Sequence, residues 1–219
     1  MTQKLDALIF DFDGLILDTE TPEFNVLQEI YAEYGVELSI EKWGRIIGGS
    51  GATSFDAVSD IEHLAGVSID RQPLLKRWRN EADARIAIND ALPGVRDLLD
   101  DAQAHGLKLA IASSSPHWWV DSHLKKLGLY ERFAHIVCAD DVALTKPAPD
   151  LFLLAQTKLN VSADRAVIFE DSPNGVRAAN AAKIPVVVVP NPVTEQLTFS
   201  GEYLRLSSLQ EFSISKWTG

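Results

Sequence analysis

The sequence has 219 residues, 46% hydrophobic and 23% charged, which is enough apolar material for a buried core and excludes the disordered and collagen-like classes. Its 20 Lys and Arg against 31 Asp and Glu give a net charge of −11, which disfavours binding to nucleic acid or to an anionic membrane. The single cysteine cannot form an internal disulfide, and neither a transmembrane segment nor a signal-peptide core is visible, so we expect a cytoplasmic protein.

Short, β-branched apolar segments predict strands that are buried on both faces. They cover residues 5–10, 107–112, 135–138, 166–169 and 185–189. Helical patterns that stop at Gly106 and Gly128 lie between them. This alternation predicts an α/β fold with a Rossmann-like parallel sheet core, in which ligands bind at the carboxyl ends of the strands.

Residues 19–89 interrupt this alternation, because they show helical periodicity without a convincing buried strand. The first helix is predicted from Pro22 to Gly35, and others around Glu41, Phe55 and Leu75. The sequence therefore predicts an inserted α-helical domain at 19–89 and a catalytic core made of residues 1–18 and 90–219.

Two carboxylates follow the first predicted strand. Asp11 and Asp13 are two residues apart in an extended segment, so their side chains point the same way, into the mouth of a site. Such a pair is also common in turns, but its mutual repulsion is relieved by a divalent metal with oxygen ligands.

Other strand ends also carry reactive groups. Ser113 and Ser114 follow the second long strand, and Glu170 and Asp171 follow the fourth. Lys146 lies in a loop that the two prolines after it fix. Each has an ordinary interpretation as a helix cap or a surface residue. Together at one sheet edge they favour a site for phosphoryl transfer.

In order and spacing, these motifs resemble those of the haloacid dehalogenase-like phosphohydrolases. The resemblance covers roughly residues 5–190 and rests on residues 11–20, Ser113 within 111–115, Lys146, and Glu170 with Asp171. The helical insert resembles the small cap of the branch that contains β-phosphoglucomutase and sugar-phosphate phosphatases.

The resemblance implies a role for each matched residue. Asp11 is the expected nucleophile, which forms an aspartyl-phosphate, and Asp13 is the expected general acid and base. Ser113, Ser114 and Lys146 are expected to bind the phosphoryl group. Thr19 is expected at the hinge of the cap.

The resemblance also implies a Mg²⁺ site. Its expected ligands are Asp11, Asp171 and the backbone carbonyl of Asp13. Glu170 is expected to orient these ligands without contacting the metal itself.

The expected activity is hydrolysis of a phosphomonoester of a small phosphorylated metabolite, a sugar or polyol phosphate. Asp13 disfavours a dehalogenase, because a halide leaves without a proton. The loop 46–52 has Gly51 where mutases of the branch are expected to have an arginine, which favours a phosphatase over a β-phosphoglucomutase. A catalytically idle binding module is the third alternative, and the oligomeric state is left open.

Two further groups of residues have less specific patterns. The basic residues of the insert predict a solvated helix face, with Arg79 or Arg85 reaching the substrate as the alternative. The segment His117-Trp118-Trp119 predicts the start of a helix and packing contacts, with stacking on the substrate as the alternative, and Cys138 is expected in the core.

Overall fold

The computed structural model describes residues 4–44, 47 and 55–217. Their centre is a sheet in which every neighbouring pair of strands is parallel, in the order β3-β2-β1-β4-β5-β6. The strands are β1 Ala7–Phe10, β2 Lys108–Ala112, β3 His135–Val137, β4 Ala166–Glu170, β5 Val186–Val188 and β6 Leu204–Arg205. The predicted α/β fold is confirmed. The sequence pattern did not reveal β6, because both of its residues are exposed.

The helices that the sequence predicted are present, with small shifts at their ends. They are α1 Glu20–Glu33, α2 Ile40–Trp43, α3 Ala57–Ala65, α4 Arg71–Ile86, α5 Val95–Ala104, α6 His117–Lys126, α7 Asp150–Leu159 and α8 Pro173–Ala182. Phe55 precedes α3, because the side chain of Asp56 caps that helix at the backbone N–H groups of Val58 and Ser59. Among the described residues, none of these helices has the length and apolarity needed to cross a membrane.

Helices cover both faces of the sheet. Leu8 and Phe10 of β1 pack in the cluster that includes α5 and α6, whereas Ala7 and Ile9 pack in the cluster that includes α7 and α8. β1 is therefore buried from both sides and from both neighbouring strands, which explains why its sequence is continuously apolar. Because β1 lies between β2 and β4, the residues that follow it lie near the middle of the edge formed by the carboxyl ends of the strands.

The helices α1–α4 have a hydrophobic cluster of their own, built around Leu27, Tyr31, Trp43 and Ile61. Val193, which follows β5, also belongs to this cluster and joins the helices to the sheet. The division of the chain into a core and an inserted domain, with boundaries at 18/19 and 89/90, stays a prediction.

The basic face of α4 is largely solvated, as the charge pattern predicted. Arg77 pairs with Glu33 at 2.6 Å, and Arg85 pairs with Glu29 at 2.6 Å, which ties α4 to α1 across the surface. The two arginine side chains are 43% and 40% exposed, so each pair stabilises the fold by at most about 1 kcal/mol.

Candidate active site

Three carboxylates meet where β1 and β4 end. Asp11 follows β1, Glu170 is the last residue of β4, and Asp171 comes next. Because β1 and β4 are parallel neighbours, with Phe10 opposite Phe169, their carboxyl ends lie side by side. Each of the three residues offers a carboxylate oxygen, and these oxygens lie within 4.8 Å of one another. The side chains are almost completely buried, with residue exposures of 2%, 0% and 1%.

Lys146 lies between two of these carboxylates. Its Nζ is 2.6 Å from Asp11 Oδ1 and 2.7 Å from Glu170 Oε1, and its side chain is 0% exposed. The interpretation of Lys146 as a surface lysine is therefore wrong. Burial by itself lowers the pKa of this ammonium, but the charges of Asp11 and Glu170 outweigh it and hold the pKa above its usual value.

Within the described part of the chain, the cluster has more carboxyl groups than cations, since three carboxylates lie beside one ammonium. Burial, followed by the charge of Glu170, raises the pKa of Asp11 well above its usual value, and burial with the same neighbour does so for Asp171. Asp171 Oδ1 is buried and has no hydrogen-bond partner among the described residues. An oxygen-rich cluster with excess negative charge and an unpaired ligand oxygen fits a divalent cation.

Glu170 is anchored by the start of α8. Its Oε2 accepts the backbone N–H of Asp171 at 2.9 Å, the backbone N–H of Ser172 at 2.8 Å and the Ser172 hydroxyl at 3.0 Å. A Cβ atom at Gly175 would lie 1.7 Å from Glu170 Oε1. The glycine is required at this point because the carboxylate packs directly against the backbone of the helix.

Asp171 is held by Asn191, a residue to which the sequence analysis gave no role. Asn191 Nδ2 donates to Asp171 Oδ2 at 2.7 Å. Its own Oδ1 accepts the backbone N–H groups of Val193 and Thr194, each at 3.0 Å, so the amide cannot turn freely. An Asn-Pro pair after a strand indicates only a turn, and this contact depends on the fold.

The Asp13 carboxylate lies outside the metal-like cluster and faces the loop after β2. Its Oδ2 accepts the hydroxyls of Ser115 at 2.6 Å and Ser113 at 3.2 Å, and its Oδ1 accepts the indole N–H of Trp119 at 2.8 Å. Trp119 lies in the first turn of α6, where the sequence predicted packing, but its N–H contacts a candidate catalytic residue. The metal contact of the Asp13 backbone carbonyl, and the phosphoryl contacts of Ser113 and Ser114, stay predictions.

A cavity of about 320 Å³ opens from Asp11 and Asp13 toward helices α1 and α4. Its walls also include Thr19, Glu20, Glu23, Trp43, Ile47, Arg79, Asp83, Ser114, Ser115, Pro116, Trp118 and Trp119. Arg79 therefore lines the cavity, whereas Arg85 pairs with Glu29 at the surface. Thr19 is 3% exposed, and its role as a hinge stays a prediction.

Two acidic residues of α1 were missed as candidates and lie on the cavity wall. Burial, with Asp13 and Asp83 nearby, raises the pKa of Glu23 to about 7. Burial also raises the pKa of Glu20 well above its usual value, with Glu23 as the next cause. The sequence signal that could have found them is their position in the first helical turn after the Asp11 motif. The wall opposite the sheet thus has two carboxyl groups that take up protons more readily than usual.

Two remaining expectations concern the loop 46–52 and Cys138. Apart from Ile47, the loop lies outside the described residues, so the comparison of Gly51 with a mutase arginine stays a prediction. Cys138 is buried as expected, and its burial raises the pKa of the thiol well above its usual value. It is therefore a core residue.

The chain matches one family model and is similar to proteins that are named as phosphatases. Residues 8–189 match the family model described as haloacid dehalogenase-like hydrolase. YhcW of Bacillus subtilis (strain 168), provisionally named a phosphatase, is 44% identical over 211 residues, or 96% of this chain and 95% of YhcW. The fructose-1-phosphate phosphatase YqaB of Escherichia coli (strain K12) is 32% identical over 191 residues, or 86% of this chain and 98% of YqaB.

A solved structure has the same fold with a ligand bound. CbbY from Rhodobacter sphaeroides in complex with phosphate has a TM-score of 0.69 and 27% identity, with coverage of 95% of this chain and 96% of CbbY.

Proposed function

The chain belongs to the haloacid dehalogenase-like hydrolases and is a phosphatase of that family, and from this premise we propose its reaction and substrate class. We propose a Mg²⁺-dependent phosphomonoesterase that acts on a sugar or polyol phosphate through an aspartyl-phosphate on Asp11. The observation that carries the proposal is the buried cluster of Asp11, Lys146, Glu170 and Asp171 at the end of a 320 Å³ cavity.

In the first step, the Asp11 carboxylate attacks phosphorus. A bond forms between the Asp11 oxygen and phosphorus, and the bond from phosphorus to the leaving oxygen breaks with its electron pair. Asp13 gives its proton to that oxygen, so the product leaves as a neutral alcohol. Lys146 holds Asp11 in place through the 2.6 Å ion pair.

In the second step, Asp13 removes a proton from a water molecule that attacks the same phosphorus. The bond from phosphorus to Asp11 breaks, which releases inorganic phosphate and restores the carboxylate. Asp11, Asp171 and the backbone carbonyl of Asp13 would hold Mg²⁺, and Glu170, which is bonded to Lys146 and to the start of α8, would position them. When bound, Mg²⁺ supplies positive charge that offsets the charge of the phosphoryl oxygens.

The size and chemistry of the cavity support a small metabolite. A cavity of about 320 Å³ is at the lower end of the range for ligand pockets, which suits a monosaccharide better than a polymer. Glu20, Glu23 and Arg79 offer donors and acceptors for hydroxyl groups on its far wall. The named relatives include a phosphatase of fructose 1-phosphate, which supports the sugar-phosphate class.

The test is release of inorganic phosphate from p-nitrophenyl phosphate and from fructose 1-phosphate. With Mg²⁺ we expect turnover of both, and with a chelator we expect none. Asp11→Asn should lower kcat by at least about 10³-fold, as for removal of a nucleophile. A rapid acid quench of the parent during turnover should trap a phosphoprotein that hydroxylamine cleaves, as expected of an acyl phosphate.

Asp6→Asn is the matched control, because Asp6 is a partly exposed carboxylate near the start of the same strand, paired with Arg165. It should retain the activity of the parent. Full activity of Asp11→Asn, or turnover without any divalent cation, would overturn the proposed mechanism. Conversion of a sugar phosphate to its isomer without phosphate release would instead identify a mutase.

A further inference from the structure

The carboxylate of Asp13 has an asymmetric set of donors. Two hydroxyl groups, from Ser115 and Ser113, donate to Oδ2 at 2.6 Å and 3.2 Å. One indole N–H, from Trp119, donates to Oδ1 at 2.8 Å. A carboxylate oxygen accepts about two hydrogen bonds. Among the described residues, Oδ2 therefore accepts two hydrogen bonds, and Oδ1 accepts one and keeps a second lone pair.

The Trp119 ring is itself fixed. It packs edge to face against His123, with 4.3 Å between ring centroids and 64° between planes, and His123 in turn lies 6.3 Å from Phe12. Trp119 packs against the same hydrophobic cluster as Phe12 and Leu8 of the sheet. The N–H that reaches Asp13 across 106 residues of sequence is thus mounted on a packed ring in the first turn of α6.

The two oxygens of the Asp13 carboxylate differ in the kind of group that donates to them. A serine hydroxyl can turn and become an acceptor when a carboxyl group gains a proton, whereas an indole N–H is only ever a donor. The bond from Trp119 therefore persists in both protonation states, and a proton on Oδ1 uses its second lone pair without displacing a donor. A proton on Oδ2 would require a serine hydroxyl to turn. Asp13, Trp119 and Ser115 all line the cavity.

We propose that Trp119 is a positioning residue, which holds Asp13 Oδ1 as the atom that exchanges the proton with the leaving oxygen. The inference rests on the proposed function, in which Asp13 is the general acid. During transfer, the bond from Oδ1 to hydrogen breaks with its electrons left on Asp13, and a new bond forms from hydrogen to the departing oxygen. Trp119 stabilises the resulting carboxylate and keeps it aimed for the second step.

The test compares substrates that differ in their need for a proton. The alkoxide of fructose is a poor leaving group and needs protonation, whereas p-nitrophenolate is stable as an anion and needs little. For Trp119→Phe, which keeps the ring and removes the N–H, kcat on fructose 1-phosphate should fall by at least about 10-fold. On p-nitrophenyl phosphate, kcat should fall less than about 3-fold, and KM for both should stay within about 2-fold.

Trp217→Phe is the matched control. It makes the same chemical change at a tryptophan that packs against Phe212 and is not among the cavity residues. It should leave kcat on both substrates, and therefore their ratio, unchanged. Benzothienylalanine at position 119 keeps the ring shape without the N–H, so it provides the same comparison if Trp119→Phe does not fold.

An equal loss on both substrates, or no loss on either, would overturn the role of Trp119. Failure of the proposed function gives a different result, because turnover of the parent would then survive Asp11→Asn. The two failures are distinguishable in one set of assays.

Discussion

Gly175→Ala tests whether the buried Glu170 is held as rigidly as its contacts indicate. The added Cβ would lie 1.7 Å from Glu170 Oε1 and 1.8 Å from its Cδ, so the carboxylate must move. It would then lose its place beside Lys146 and the three donors on Oε2. Removal of one partner of a buried ion pair costs about 3–5 kcal/mol, and we expect the free energy of unfolding to fall by this amount.

The assay is urea unfolding followed by far-ultraviolet circular dichroism, in a double-mutant cycle with Glu170→Ala. In the Glu170→Ala background the clash is absent. The same Gly175→Ala change should then be neutral, or stabilising by up to about 1 kcal/mol, because alanine is a better helix former than glycine. Phosphatase activity of Gly175→Ala should fall together with stability. An equal cost in both backgrounds, or a cost below about 1 kcal/mol in the parent, would refute the reasoning.

Two further predictions concern Glu23 and Asn191. The pKa of Glu23 is raised to about 7, so the folded protein binds a proton that the unfolded chain releases, and stability falls as pH rises from about 4.5 to 7. Between pH 5 and pH 8, the free energy of unfolding of Glu23→Gln should therefore rise by about 2 kcal/mol relative to that of the parent, as measured by urea unfolding. Glu37→Gln, at an exposed position, controls for the loss of a charge. A difference in stability between Glu23→Gln and the parent that does not change with pH would contradict the raised pKa of Glu23. Asn191→Ala should raise the Mg²⁺ concentration for half-maximal activity by about 10-fold, with kcat restored at saturation. An unchanged Mg²⁺ titration would show that the 2.7 Å bond to Asp171 has no influence on metal binding.

The sheet was predictable because its strands are buried on both faces. A segment such as Leu8–Phe10, packed between helices and between strands, has no solvent-facing side and reads as a continuous apolar run. The short β6 was not predictable, since its exposed residues lack such a pattern and pair only along one edge. A strand is recognisable from the sequence when both of its faces are buried, because its residues are then continuously apolar.

The candidate site was predictable only where its residues directly follow strands. Asp11 and Asp171 follow β1 and β4, so the parallel sheet brings them together. Trp119 and Asn191 reach the site from a helix and from a loop, through bonds that span 106 and 20 residues. Nothing local in the sequence distinguishes these two from a packing tryptophan or a turn asparagine.

The strand order has a consequence for how the protein is made. β1 lies between β2 and β4, so Ala7 pairs with Lys108 on one side and Ala166 on the other. During synthesis the apolar β1 has neither neighbour until β2, which ends at residue 112 of 219, has been translated, and it lacks the second until β4 follows, which ends at residue 170. Such long-range pairing folds slowly, and the waiting strand exposes edges that favour aggregation. Substitutions in β4 will therefore change the yield of native protein as well as its activity.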